Sequence, residues 1–222
     1  MKYTLSCAVL SLLALTQCSS PVQTKESQSV TSPSQAVQGL MTGNQRFASG
    51  HSKWRNLPAQ VKDTAKGQHP IAAIVSCMDS RTSSELVFDQ GIGDIFNIRI
   101  AGNVINNDIL GSLEYACDKA GAKAILVVGH TSCGAIHGAI AGVKLGHLTG
   151  LLDKIKPAIN QTPKSPDHDR YENSVTITNV RLGLKQIRQQ SETLRKLESQ
   201  GKITIQGAIY HIDTGRVELV TP

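Results

Sequence analysis

From Pro70 to Val220 the chain alternates short apolar runs with longer stretches in which apolar residues recur three and four apart. The apolar runs 71–76, 94–100, 124–128, 203–210 and 216–220 predict strands, the last two separated by the turn signal Asp213-Thr-Gly215. Between them, 83–89, 108–120 and 134–143 carry a helical period, with Leu110, Leu113 and Cys117 on one face of the second. Two more helices are predicted near 148–160 and 169–199, separated by the proline-punctuated Gln161-Thr-Pro-Lys-Ser-Pro166. Strands that alternate with helices predict an α/β fold: a central, mostly parallel β-sheet flanked by helices on both faces. Upstream, Ala36-Val37, Leu40-Met41 and Phe47 follow helical spacing and Gly50 is a stop, whereas 51–69 has no clear period and predicts loop with a short helix.

The N-terminus differs in kind. Lys2 followed by apolar Leu5 to Leu15 predicts an export signal over 1–17, too short to span a bilayer as a mature helix. Leu15-Thr-Gln-Cys18 resembles a bacterial lipobox, in which the cysteine is lipidated; Gln17 departs from the small residue usual before it. Simple cleavage near Ser20 is the competing outcome. Residues 18–35, rich in Ser, Gln, Thr and Pro, predict a flexible tether, and 36–222 a single domain. The expectation is an exported protein of the periplasm, held at a membrane through a lipid on Cys18.

Composition narrows the function classes. The 222 residues are 40% hydrophobic with few aromatics, enough for an aliphatic core, and the formal charge of +6 is scattered without basic runs. Nucleic acid is therefore not an expected partner. Five cysteines make no disulfide framework in a chain of this length; Cys7 and Cys18 belong to the leader, which leaves an odd three.

Two predicted strand ends carry the candidate chemistry. Strand 71–76 runs into Cys77-Met-Asp79-Ser-Arg81, and strand 124–128 stops at Gly129 before His130-Thr-Ser-Cys133. Ligands of open α/β sheets bind beyond the carboxyl ends of the strands. Two thiolates, an imidazole and one oxygen ligand would give Zn²⁺ a tetrahedral set with a replaceable fourth position. Cys133 opens the next helix, where free N–H groups favour a thiolate. Asp79 can reach the same metal or be held in a bidentate pair by Arg81. The first option closes the site; the second leaves the fourth position to water. Two plainer readings compete: buried cysteines acting as small hydrophobes, and a Cys77–Cys133 disulfide in an oxidising compartment. Cys117 reads as core. His137 reads as a helix-surface residue, with proton relay as the alternative.

These residues resemble the β-class carbonic anhydrases. The resemblance runs from about residue 36 to 220 and takes in Gly43-Asn-Gln-Arg-Phe47, Cys77-x-Asp79-x-Arg81, Arg99-x-Ala-Gly-Asn103, Gly111-Ser-Leu-Glu-Tyr-Ala116, Gly129-His-x-x-Cys-Gly134 and Tyr210-x-x-x-Thr-Gly215. It implies zinc on Cys77, His130 and Cys133, Asp79 and Arg81 as a catalytic dyad, and Asp79 as fourth ligand in a closed form. It implies reversible hydration of CO₂ to bicarbonate, with Gln68, Phe96 and Tyr115 at the substrate pocket. It also implies a homodimer or tetramer with active sites at the subunit interface. Met78 and Thr82 depart from the small and apolar residues usual at their positions. Two other functions fit the same residues: a non-catalytic zinc-binding relative locked in the Asp79-ligated state, and a hydrolase of CS₂ or COS.

Overall fold

A computed structural model describes residues 21–221; the expected export signal and Cys18 lie outside them. Five strands form one sheet in the order β2-β1-β3-β4-β5, with β1 Ala72–Ser76, β2 Ile95–Arg99, β3 Ala124–His130, β4 Thr204–Tyr210 and β5 Val217–Val220. The first four are parallel, and β5 returns antiparallel to β4. β1 and β3 are buried along their whole length, as their unbroken apolar runs require when helices cover both faces.

One face is covered by α5 (Asn107–Glu114), α9 (His168–Gln190) and α10 (Glu192–Ser199), which bury Val75, Val127 and Ile205 of the sheet with Leu113, Val180 and Leu194. The predicted helix 108–120 holds its α form only to Glu114; Tyr115–Lys119 is one π turn. The predicted helix 169–199 is two helices, because Ser191 ends α9 and caps α10 by accepting from Leu194 N–H at 3.1 Å. The other face is covered by α2 (Pro33–Ala48) and α4 (Ser84–Val87). α3 (Leu57–Thr64) lies in the stretch expected to be mostly loop. α6 (Gly134–Ile140), α7 (Gly146–Asp153) and α8 (Lys156–Gln161) cap the carboxyl ends of β1 and β3 with a third apolar cluster.

The expected tether is ordered from residue 21 onward. Lys25–Val30 forms α1, and both α1 and α2 start in reciprocal capping boxes, Thr24 with Ser27 and Ser32 with Gln35. Gln28 is buried and donates to the carbonyls of Pro70 and Ala120, both at 2.8 Å. Polar side chains can anchor a segment that has little apolar surface to bury, and composition alone does not show which carbonyls they will meet. No helix among the described residues is long and apolar enough to cross a membrane.

Candidate metal centre

Parallel pairing of β1 with β3 puts Ser76 opposite Val128, so the chain leaves β1 beside Gly129 and one residue short of His130. β3 continues through His130, which pairs with Tyr210 of β4 and is therefore a strand residue rather than the loop residue expected. Gly129 has the reason of space: a Cβ there would stand 2.8 Å from Thr176 Cγ2 and 2.9 Å from Val180 Cγ2 of α9. Between His130 and Cys133, Ser132 takes a left-handed φ of 53°, unusual for a residue with a side chain. The turn brings Cys133, at the cap of α6, back over the end of β1.

Cys77, His130 and Cys133 are all buried, and one ligand atom from each lies within 4.8 Å of the others. The two sulfurs are 4.0 Å apart. A disulfide needs about 2.05 Å, whereas sulfurs bound to one tetrahedral zinc stand roughly 3.8 Å apart. All three cysteines among the described residues are free. His130 Nδ1 lies 2.9 Å from the Thr131 carbonyl, which can only accept, so Nδ1 carries the proton and Nε2 a lone pair. That Nε2 is buried without a hydrogen-bond partner. A buried ring nitrogen without a hydrogen-bond partner, grouped with two cysteine sulfurs and oriented by a carbonyl on its other side, is the arrangement of a metal ligand. The residues fit a metal.

The Cys133 thiol beside it holds Cys77 below its ordinary value, helped by the Gly102 N–H at 3.4 Å. The Cys77 thiolate and burial push Cys133 far up. A divalent cation would relieve this imbalance by favouring the second thiolate.

Asp79 is not among the clustered ligands. Its carboxylate is gripped by Arg81, Nε to Oδ1 at 2.9 Å and Nη2 to Oδ2 at 2.8 Å, and it also accepts the Arg81 backbone N–H at 3.0 Å. Arg81 holds it well below the usual carboxylate range. Of the two options open for Asp79, the structure shows the Arg81 pair.

A family model described as carbonic anhydrase matches residues 72–217. The chain is 34% identical over 200 residues to carbonic anhydrase 2 of Mycobacterium tuberculosis, covering 85% of this chain and 93% of that one. It is 32% identical over 197 residues to a carbonic anhydrase of Mycolicibacterium smegmatis, covering 85% and 94%. A crystal structure of a β-carbonic anhydrase of Aspergillus fumigatus superposes with a TM-score of 0.68 at 26% identity, over 82% of this chain and 89% of that one. The chain belongs to the β-class carbonic anhydrases.

Other motifs of this carbonic anhydrase brace the site from a distance. Asn44 donates to the carbonyls of Val87 at 3.0 Å and Gly215 at 2.8 Å and accepts the Val217 N–H at 2.8 Å, which ties α2 to the C-terminal hairpin. Arg46 and Arg55 both bind the buried Asp89. Arg99 donates from Nε to the Cys77 carbonyl at 3.2 Å and from Nη2 to the Asp79 carbonyl. Gly102, at φ 65°, donates to Cys77 Sγ from a position where a Cβ would stand 2.8 Å from Ile155 Cδ1. Sequence reasoning assigned Arg99, Gly102 and the Thr131 carbonyl no role at the centre, although the first two lie in the Arg99-x-Ala-Gly-Asn103 motif.

The substrate-pocket candidates lie elsewhere in the chain. Gln68 is exposed in the loop before β1, at the opposite end of that strand from Cys77. Phe96 pairs with Ala73 on the edge strand β2, four residues before Cys77 in register, and meets Tyr115 edge to face at 6.2 Å. Tyr115 is 57% exposed. Within one chain these three do not meet the metal ligands. Cys117 is core, pushed up to about 12 by burial. His137 sits on exposed α6 surface with Nδ1 2.6 Å from Glu172 Oε1.

Proposed function

We propose that this chain is a zinc enzyme that hydrates CO₂ to bicarbonate and a proton, reversibly, with the zinc on Cys77, His130 and Cys133. The observation that carries it is the Asp79–Arg81 pair, which keeps the carboxylate off the ligand cluster and leaves a fourth position for water. Zinc held by these residues supplies water with a pKa lowered from 15.7 towards about 7. Asp79, kept ionised by Arg81, accepts a hydrogen bond from the attacking water at a carboxylate oxygen and aims its lone pair at the carbon of CO₂. His130 holds its tautomer through Thr131, and Gly102 steadies the Cys77 sulfur.

Gln68, Phe96 and Tyr115 serve the pocket of a second copy in a homodimer or larger assembly. Support comes from their distance from the ligands along β1, the exposure of Tyr115 and solved β-carbonic anhydrases of Sordaria macrospora described as tetrameric. We also place the protein in the periplasm, lipid-anchored through Cys18, on the leader alone; recovery of the native protein from the cytosol would remove that assignment.

The test is zinc content with stopped-flow CO₂ hydration on the purified protein. About one zinc per chain is expected, with Asp79→Ala losing about 10²-fold or more in rate. A zinc-loaded Asp79→Ala protein as active as the parent would refute the mechanism.

A further inference from the structure

Thr82 is 4% exposed, and its hydroxyl stands 2.9 Å from two carbonyl oxygens, those of Cys77 and Asp79. Its backbone N–H also donates to the Asp79 carbonyl at 3.0 Å. A hydroxyl has one proton, so Oγ1 donates to one carbonyl at a time or shares the proton between them, and either way it ties together the peptide planes that flank Met78 and Asp79. Arg99 meets the same two carbonyls from the solvent side. The short arc carrying Asp79 is thus pinned from inside by Thr82 and from outside by Arg99. Met78, between the pinned carbonyls, is 63% exposed and makes no comparable anchor.

We propose, on the reading of Asp79 and Arg81 given above, that Thr82 is the positioning residue that keeps Asp79 paired with Arg81 and off the metal ligands. An aliphatic residue of the same shape would fill the space but take the hydroxyl donor away from the buried Cys77 carbonyl and the half-buried Asp79 carbonyl. With the inner donor gone the arc would be held only by Arg99 and the residue-82 N–H, and Asp79 could move from Arg81 into the fourth metal position. The hydroxyl acts through the backbone of the Cys77–Asp79 arc and touches neither a metal-binding atom nor substrate.

The experiment compares Thr82→Val, isosteric and without the donor, with Thr82→Ser, which keeps it. Both are zinc-loaded, crystallised and assayed for CO₂ hydration beside the parent. Thr82→Val is expected to lose about tenfold or more in kcat/KM, to show Asp79 displaced from Arg81 in the crystal, and to keep its zinc. Thr82→Ser is expected to stay within about threefold of the parent with the Asp79–Arg81 pair intact. Thr82→Ala, which forces no methyl against the carbonyls, gives the same reading if the valine variant folds poorly. The proposal is overturned if the donor-less variant keeps the Asp79–Arg81 pair, whether active or not, or if serine fails to restore it. A parent protein without zinc or activity would instead refute the underlying reading of the site, so the two failures are distinguishable.

Discussion

Gly129→Ala offers a quantitative check on how the fold positions His130. The new methyl would meet Thr176 Cγ2 at 2.8 Å, Val180 Cγ2 at 2.9 Å and Ile209 Cδ1 at 3.2 Å. The first two are closer than real methyl contacts and belong to α9 packed on the sheet, so no flexible chain end can swing aside. Overpacking of this kind costs typically about 1–3 kcal/mol, and two clashes place it towards the upper end. Replacing glycine also narrows the unfolded ensemble, which returns roughly 0.4–1 kcal/mol. A net loss of about 2 kcal/mol is expected, or roughly 4–8 °C in Tm for a chain of this size. Because the shift falls on the residue before His130, zinc affinity should drop with it. Gly134, on the other side of the same motif, has open space where a methyl would stand, with no atom within 4 Å. Gly134→Ala should therefore change stability by less than about 0.5 kcal/mol. Urea unfolding of the metal-free proteins at equal concentration, with zinc titration alongside, measures both. Equal stability of the two alanine variants would refute the claim that α9 packing sets the position of His130.

Two further outcomes follow from charge and burial. Asp89→Asn leaves Arg46 and Arg55 around a buried neutral amide and should cost about 3 kcal/mol. Asp89 is held below its ordinary value by Arg55 and Arg46 in spite of burial. Its contribution is therefore full above the unfolded carboxylate range near pH 4 and disappears as pH falls through the lower folded value. Denaturation midpoints of parent and variant should accordingly converge as pH falls below about 4 and stay apart at pH 7. Cys117, pushed up to about 12 by burial, should resist alkylation in the native protein at pH 8. The metal-free Cys77, held below its ordinary value by the Cys133 thiol beside it, should show more thiolate absorbance than Cys117 at that pH. Alkylation of Cys117 at the rate of a free thiol would contradict its placement in the core.

Local pattern determined much of this protein. Unbroken apolar runs in β1 and β3 required a sheet covered on both faces, and the residues that follow each run had to emerge at its carboxyl edge. Cys77, His130 and Cys133 were therefore legible as neighbours once the two strands were taken as adjacent, because parallel pairing aligns strand ends. Tertiary structure alone decided the rest. Asp79 had two partners within reach in the sequence, and only the fixed carbonyls of its arc show it turned to Arg81. Gln28 lies in a stretch with almost nothing apolar to bury, and its anchors, Pro70 and Ala120, are 42 and 92 residues away. The breaks at Tyr115 and Ser191 interrupt runs whose helical period continues through them. Gln68, Phe96 and Tyr115 carry no signal of distance from the ligands, because separation in space is set by register across the sheet, and spacing along the chain does not encode it.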